Sequence, residues 1–151
     1  MSDLKQKAEA LKKAKTEAFF TACPSRLTEL ALVDLEAIEG NPKYIIDMRW
    51  VHTGVGYGDA CSVCFAGAAL ANRLDAPFAE HWSCMPDPGL KIYHRVWALD
   101  NFRQGKIANG LSCLEIERDI PDMHVTDYRE SPAEFKLGIR KVIATLKEAG
   151  L

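Results

Sequence analysis

The sequence predicts a mainly α fold: a single compact domain over residues 1–151, with five to seven helices and at most a short strand pair near residues 43–51. Three observations carry that expectation. Apolar residues recur at helical spacing in several stretches. Serines before those stretches and glycines after them supply start and stop signals. Residues of strand character without a helical period are confined to one run, "KYIIDMRWV", Lys43–Val51.

Taken in order, Ser2 can cap a helix reaching about Phe20, with Leu4, Ala8, Leu11, Ala18 and Phe19 as its apolar stripe. Pro24 breaks it. Ser25 can cap a second helix, in which Leu27, Leu30, Ala31, Leu35 and Ile38 recur at helical spacing. Gly40-Asn41-Pro42 stops that helix, and so short a break predicts an antiparallel pair.

After the extended run, Gly54, Gly56 and Gly58 make a loop, and Asp59 is placed to cap a helix from about Ala60 to Leu74. That helix would bury Val63, Cys64, Ala68, Leu70 and Ala71, its Gly67 and alanines allowing close approach of another helix. "FAEHWSC" reads as one or two helical turns and "MPDPG" as a turn. A further helix runs through Val96, Leu99 and Phe102 to Gly105, and "KIANGLSCLEI" adds a shorter one. "ERDIPDMHVTDYRE" is loop or a minor strand. The last helix has the clearest start: Ser131 and Glu134 form a capping box, with Pro132 at the first helical position. Phe135, Ile139, Val142, Ile143 and Leu146 are its core face, and Gly150 ends it.

The totals narrow the function classes. A 48% apolar and 26% charged composition is that of a globular protein, and a net charge of −2 argues against a general affinity for nucleic acid or anionic membrane. No stretch approaches the about 20 apolar residues that cross a bilayer. The amino terminus lacks the apolar core of a secretory signal, so the five cysteines are expected as reduced thiols in a cytoplasm.

The segment from Asp47 to Leu74 concentrates the candidate chemistry. Its alternating glycines could present amides to an anion, yet "GVGYGDAC" has an acid where a phosphate loop needs lysine, and G-x-G-x-G is not the dinucleotide spacing. Cys61 and Cys64, three apart near an expected helix start, could form a redox pair or supply a nucleophile with His52 and Asp47 or Asp59. They could also clip zinc together with His52 and Cys84 or His81, although no second paired ligand motif follows. The plainer reading makes Cys64 a small buried hydrophobe and Cys61 a thiol without a role. No cofactor is expected. The lysines at 5, 7, 12, 13 and 15 are interrupted by Asp3, Glu9 and Glu17, which favours a solvated helix face over a nucleic-acid site. Asp47, Trp50, His52, Tyr57, Asp59 and Cys61 form the candidate binding surface.

Asp47-Met48-Arg49-Trp50, Cys61-Ser62-Val63-Cys64-Phe65-Ala66-Gly67-Ala68, Ala98–Gly105 and the ending Glu148–Leu151 carry a resemblance covering most of the chain from Tyr44 onward. The sequence resembles small uncharacterised proteins of bacteriophages, prophages and some bacteria. Related sequences place a histidine or small residue after the Ala-Gly; here Ala68 and Ala69 stand there, which removes a metal ligand. The resemblance implies a phage or prophage origin and work in a bacterial cytoplasm. The expected function is therefore a non-enzymatic accessory protein that binds a host or phage protein. A thiol enzyme using Cys61 and Cys64, and a zinc-stabilised domain, are the alternatives.

Overall fold

The computed structural model describes residues 2–48, 61–69, 72 and 89–151. Among these lie six helices and two short strands: α1 (Asp3–Thr21), α2 (Pro24–Glu39), β1 (Tyr44–Ile46), β2 (Cys61–Val63), α3 (Phe65–Ala69), α4 (Gly89–Arg103), α5 (Ile107–Cys113) and α6 (Pro132–Glu148). The mainly helical architecture is as expected. No helix among the described residues is long and apolar enough to cross a membrane.

The core forms where α2 packs on α6 and α3, with α4 closing over α3 and carrying α5. Phe65 and Phe135 meet edge to face at 5.9 Å, bringing α3 against α6. Leu27, Leu35, Leu99, Phe102, Ile107, Leu111, Ile139 and Leu146 are fully buried around them. Polar ties hold the same contacts at the rim. Lys136 donates to Glu39 at 2.6 Å, and Lys147 pairs with Glu29.

The helix ends follow local rules. Ser131 Oγ accepts the Glu134 amide at 3.2 Å, but the Ser131 N–H donates to the Asp127 carbonyl instead of to the Glu134 side chain, so the capping box is half formed. At the other end of α6, Gly150 takes φ +78°, while its N–H reaches Lys147 O and that of Leu151 reaches Leu146 O. The same double closure ends α4, where Gly105 sits at φ +76°. No other residue fits there, because a Cβ on Gly105 would stand 1.8 Å from the Met123 carbonyl oxygen. A third copy closes α5 with Glu115 at φ 62°, a backbone region that disfavours side chains. Gly110 serves packing: a Cβ there would meet the Phe102 ring at 2.4 Å, so α5 lies against α4 only because this position is bare.

Four expectations are corrected. Ser25 does not cap α2; Cys23 occupies that position with Pro24 in the first turn, and Ser25 is buried. A proline is suited to a first turn, where its missing N–H has no partner to lose. The predicted antiparallel pair of α1 and α2 does not form. Only Phe19 of α1 is buried, whereas Leu4 and Leu11 are 78% and 67% exposed. The helix expected from Ala60 begins at Phe65 instead, and Cys61–Val63 is a strand. Finally, the partner strand of β1 lies beyond residues 43–51. β1 pairs in parallel with β2, in the register Tyr44↔Cys61, Ile45↔Ser62, Ile46↔Val63. The expectations on the loop at Gly54, Gly56 and Gly58, on Asp59, Leu70 and Ala71, and on the turns at 78–88 lie outside the described residues.

Candidate functional site

The anchor of the region singled out by the sequence is Asp47, directly after β1. Ile45, Ile46, Asp47 and Met48 form one wall of a cavity of about 510 Å³, and Asp127, Tyr128, Arg129 and Pro132 form the other. Local bonding shapes the second wall. The Asp127 carboxylate accepts the Arg129 amide at 3.0 Å, and its carbonyl accepts the amides of Glu130 and Ser131, producing a tight turn directly before α6. Tyr128 ties this turn to the core. Its hydroxyl donates to Glu39 of α2 at 2.5 Å, and its ring meets Phe135 edge to face at 5.5 Å. Burial first, and then the bond to Glu39, push the Tyr128 hydroxyl well above its ordinary pKa, so it remains a donor at any physiological pH.

The first wall is held from the other side. Arg103, at the end of α4, donates to the Met48 carbonyl at 3.2 Å while its Nε bonds Asp100 at 2.9 Å. Both side chains of that pair are about four-fifths buried, so the arginine is a fixed strut. The cavity thus lies between two braced segments. Its apolar share comes from Ile45, Ile46, Met48 and Pro132, and its charges from Asp47, Asp127 and Arg129. No nucleophile stands beside a general base among these lining residues. An apolar surface with few polar groups of both signs is suited to binding.

The other predicted site residues fall into two groups. Trp50, His52, Tyr57, Asp59, His81 and Cys84 lie outside the described residues. Cys61 opens β2 opposite Tyr44, and Cys64 follows the strand, so the two cysteines do not share a helix face. Cys64 is 1% exposed, and its sulfur accepts the Gly67 amide at 3.4 Å, which makes Cys64 the capping residue of α3. Desolvation raises its thiol from 9.0 to about 11, only partly offset by the Gly67 amide. A thiol so placed is neither a thiolate nucleophile nor an accessible ligand at neutral pH. Cys23, Cys64 and Cys113 are all free. Cys23 is the exposed one, and bonds from Ser25 and the Arg26 amide lower its pKa. No group of three His, Cys, Asp or Glu side chains converges among the described residues.

Sequence reasoning missed Tyr128, Arg129 and Arg103, which build and brace the cavity. A signal was present for the turn, because Asp127 two residues before Arg129 is an Asx-turn pattern preceding a capped helix. None was present for Arg103, whose partner is a carbonyl 55 residues away. Also missed was the fully buried Asp34, which accepts from Asn72 at 2.8 Å and ties α2 to the segment after α3. Comparison with known proteins finds no match for this chain among protein-family models, curated proteins or solved structures.

Proposed function

We propose that this chain is a non-enzymatic accessory protein of phage or prophage origin that works in a bacterial cytoplasm. It binds a host or phage protein through the cavity beside Asp47. The observation that carries the reading is the cavity itself, a cleft between two braced segments, with Ile45 53% exposed in its wall and no nucleophile–base pair among its described lining residues. Rigid walls favour binding because little ordering entropy is lost when a partner docks. The burial of Cys64 weighs against the thiol-enzyme alternative, and the net charge of −2 weighs against nucleic acid as the partner.

The test is capture from bacterial lysate with the wild-type chain, Ile45→Glu and Arg129→Glu. Both positions are exposed, so neither change should alter the melting transition. A protein retained by the wild type and lost by both variants supports the reading. Identical capture by all three removes the cavity from the function.

A further inference from the structure

α2 ends against its own dipole. Its last turn carries Glu36 and Glu39 and no base, although the end of a helix favours cations. The offsetting charges come from α6. Arg140 lies 3.8 Å from Glu36, and Lys136 lies 2.6 Å from Glu39. The side chains of the first pair are about half exposed, whereas those of the second are little more than a fifth exposed. Glu39 is also bonded through both of its oxygens. Oε1 takes the Lys136 ammonium, and Oε2 takes the Tyr128 hydroxyl at 2.5 Å.

The bond to Tyr128 joins the two sides of the cavity. From Glu39 the chain enters the first wall through a closed turn. The Asn41 amide donates to the Ile38 carbonyl at 2.9 Å, and the Tyr44 amide donates to the Asn41 carbonyl at 3.1 Å. The Lys43 amide is held by the Asn41 side chain at 3.0 Å. Glu39 therefore stands at the root of β1. On the second wall, Val125 packs against Gly138 of α6, and Ser131 caps the start of that helix. Between them, the amides of Arg129, Glu130 and Ser131 all donate to Asp127. These bonds are local and would travel with the turn if it swung. The Tyr128 hydroxyl instead carries the turn across to α2.

We propose that Glu39 is the positioning residue of the cavity beside Asp47: a carboxylate at the root of the first wall grips Tyr128 of the second and sets the spacing between them. The role rests on the reading of that cavity as the binding site. Its physical basis is a charge-assisted hydrogen bond, stronger than a neutral one, made by a carboxylate whose other oxygen is already held. Lys136 thus fixes the direction in which Glu39 presents Oε2. A cleft whose spacing is set in advance loses less ordering entropy when a partner docks. Glu36 forms an ion pair in the same interface, and its partner Arg140 lies within α6 rather than in the turn. It therefore serves as the natural control.

The test is residue-resolved amide exchange of the full chain, as wild type, Glu39→Ala, Glu39→Gln, Tyr128→Phe, the Ala–Phe double variant and Glu36→Ala. Exchange at Arg129, Glu130 and Ser131 should rise about tenfold in Glu39→Ala and in Tyr128→Phe, as expected for loss of a hydrogen bond to a charged group. The double variant should exchange no faster than either single one, because both changes remove the same bond. Glu39→Gln keeps one accepting oxygen and should recover part of the protection. Ile139 and Val142 within α6 should keep wild-type rates throughout, and Glu36→Ala should leave the turn unchanged. Four results overturn the proposal: unchanged exchange at the turn in Glu39→Ala, equal loosening by Glu36→Ala, effects that multiply in the double variant, or loosening that spreads through α6. The last would mark an acid that merely supports the helix pair. Exchange needs no partner, so a wild type that captures nothing from lysate removes the binding reading, and the exchange pattern still decides whether Glu39 holds the turn. Where a captured protein is lost by Ile45→Glu, equal retention by Glu39→Ala and wild type overturns the positioning role and leaves the binding reading standing.

Discussion

α1 and α6 have the same local credentials and opposite fates. Each begins at a serine whose hydroxyl accepts the amide three residues on, Ser2 from Lys5 at 3.4 Å and Ser131 from Glu134 at 3.2 Å. They are of similar length, 19 and 17 residues. Yet α6 buries Phe135, Gly138, Ile139, Val142, Ile143 and Leu146, and α1 buries Phe19 alone. The difference lies in the width and bulk of the apolar stripe. α6 offers large residues at i, i+4, i+7, i+8 and i+11, enough to face both α2 and α4. The stripe of α1 contains two leucines among alanines and lysines, so burying it gains little against the cost of desolvating the lysines beside it. Caps and propensity decide that a segment is helical. The apolar face decides whether it belongs to the core.

That comparison can be broken most directly through its large side chains. Phe135→Ala should cost about 3–5 kcal/mol of unfolding free energy, whereas Leu11→Ala should stay within about 0.5 kcal/mol. Denaturant melts of both variants decide it, and a costly Leu11→Ala would mean that α1 packs after all. A pH series probes the core that α3 helps to build. The Cys64 thiol is raised when folded, so its contribution is fully present below about pH 9 and is lost as pH rises toward about 11. At about 1.4 kcal/mol per unit the loss is about 3 kcal/mol, and Cys64→Ala should flatten that part of the stability profile. The exposed Cys23 should also react with iodoacetamide in the folded protein while Cys64 does not, as peptide mapping would show.

The caps give a finer contrast. Ser131→Ala should lower global stability by about 1 kcal/mol, because α6 is integral to the core. Ser2→Ala should leave the global melt unchanged and only hasten amide exchange at Lys5 and Gln6, since the first turn of α1 opens independently. Equal effects on the melt would mean the two helices are coupled to the core alike. The smallest expected effect is a gain. Glu115→Gly relieves a side chain at φ 62° and should stabilise by up to about 1 kcal/mol, read from the denaturation midpoint.

The sequence by itself determined the mainly helical character, the start and end of α6 and the closure of α4 at Gly105. It also placed Asp47 on a candidate surface. Each of those signals is complete within a few residues, because a cap, a helical stripe and a left-handed glycine act over one or two turns. Only the tertiary structure decided the rest. Cys61–Val63 became a strand because β1 offered it a parallel edge, although it looked like the start of a small-residue helix. Cys64 became the cap of α3, and Asp34 found Asn72, through packing that no local pattern encodes. The cavity needed β1, the turn at Asp127 and the Arg103 strut together, from segments that lie far apart between Ile45 and Pro132. Strand pairing, burial and bracing depend on which partners the rest of the chain supplies, and a short stretch of sequence carries no record of its distant partner.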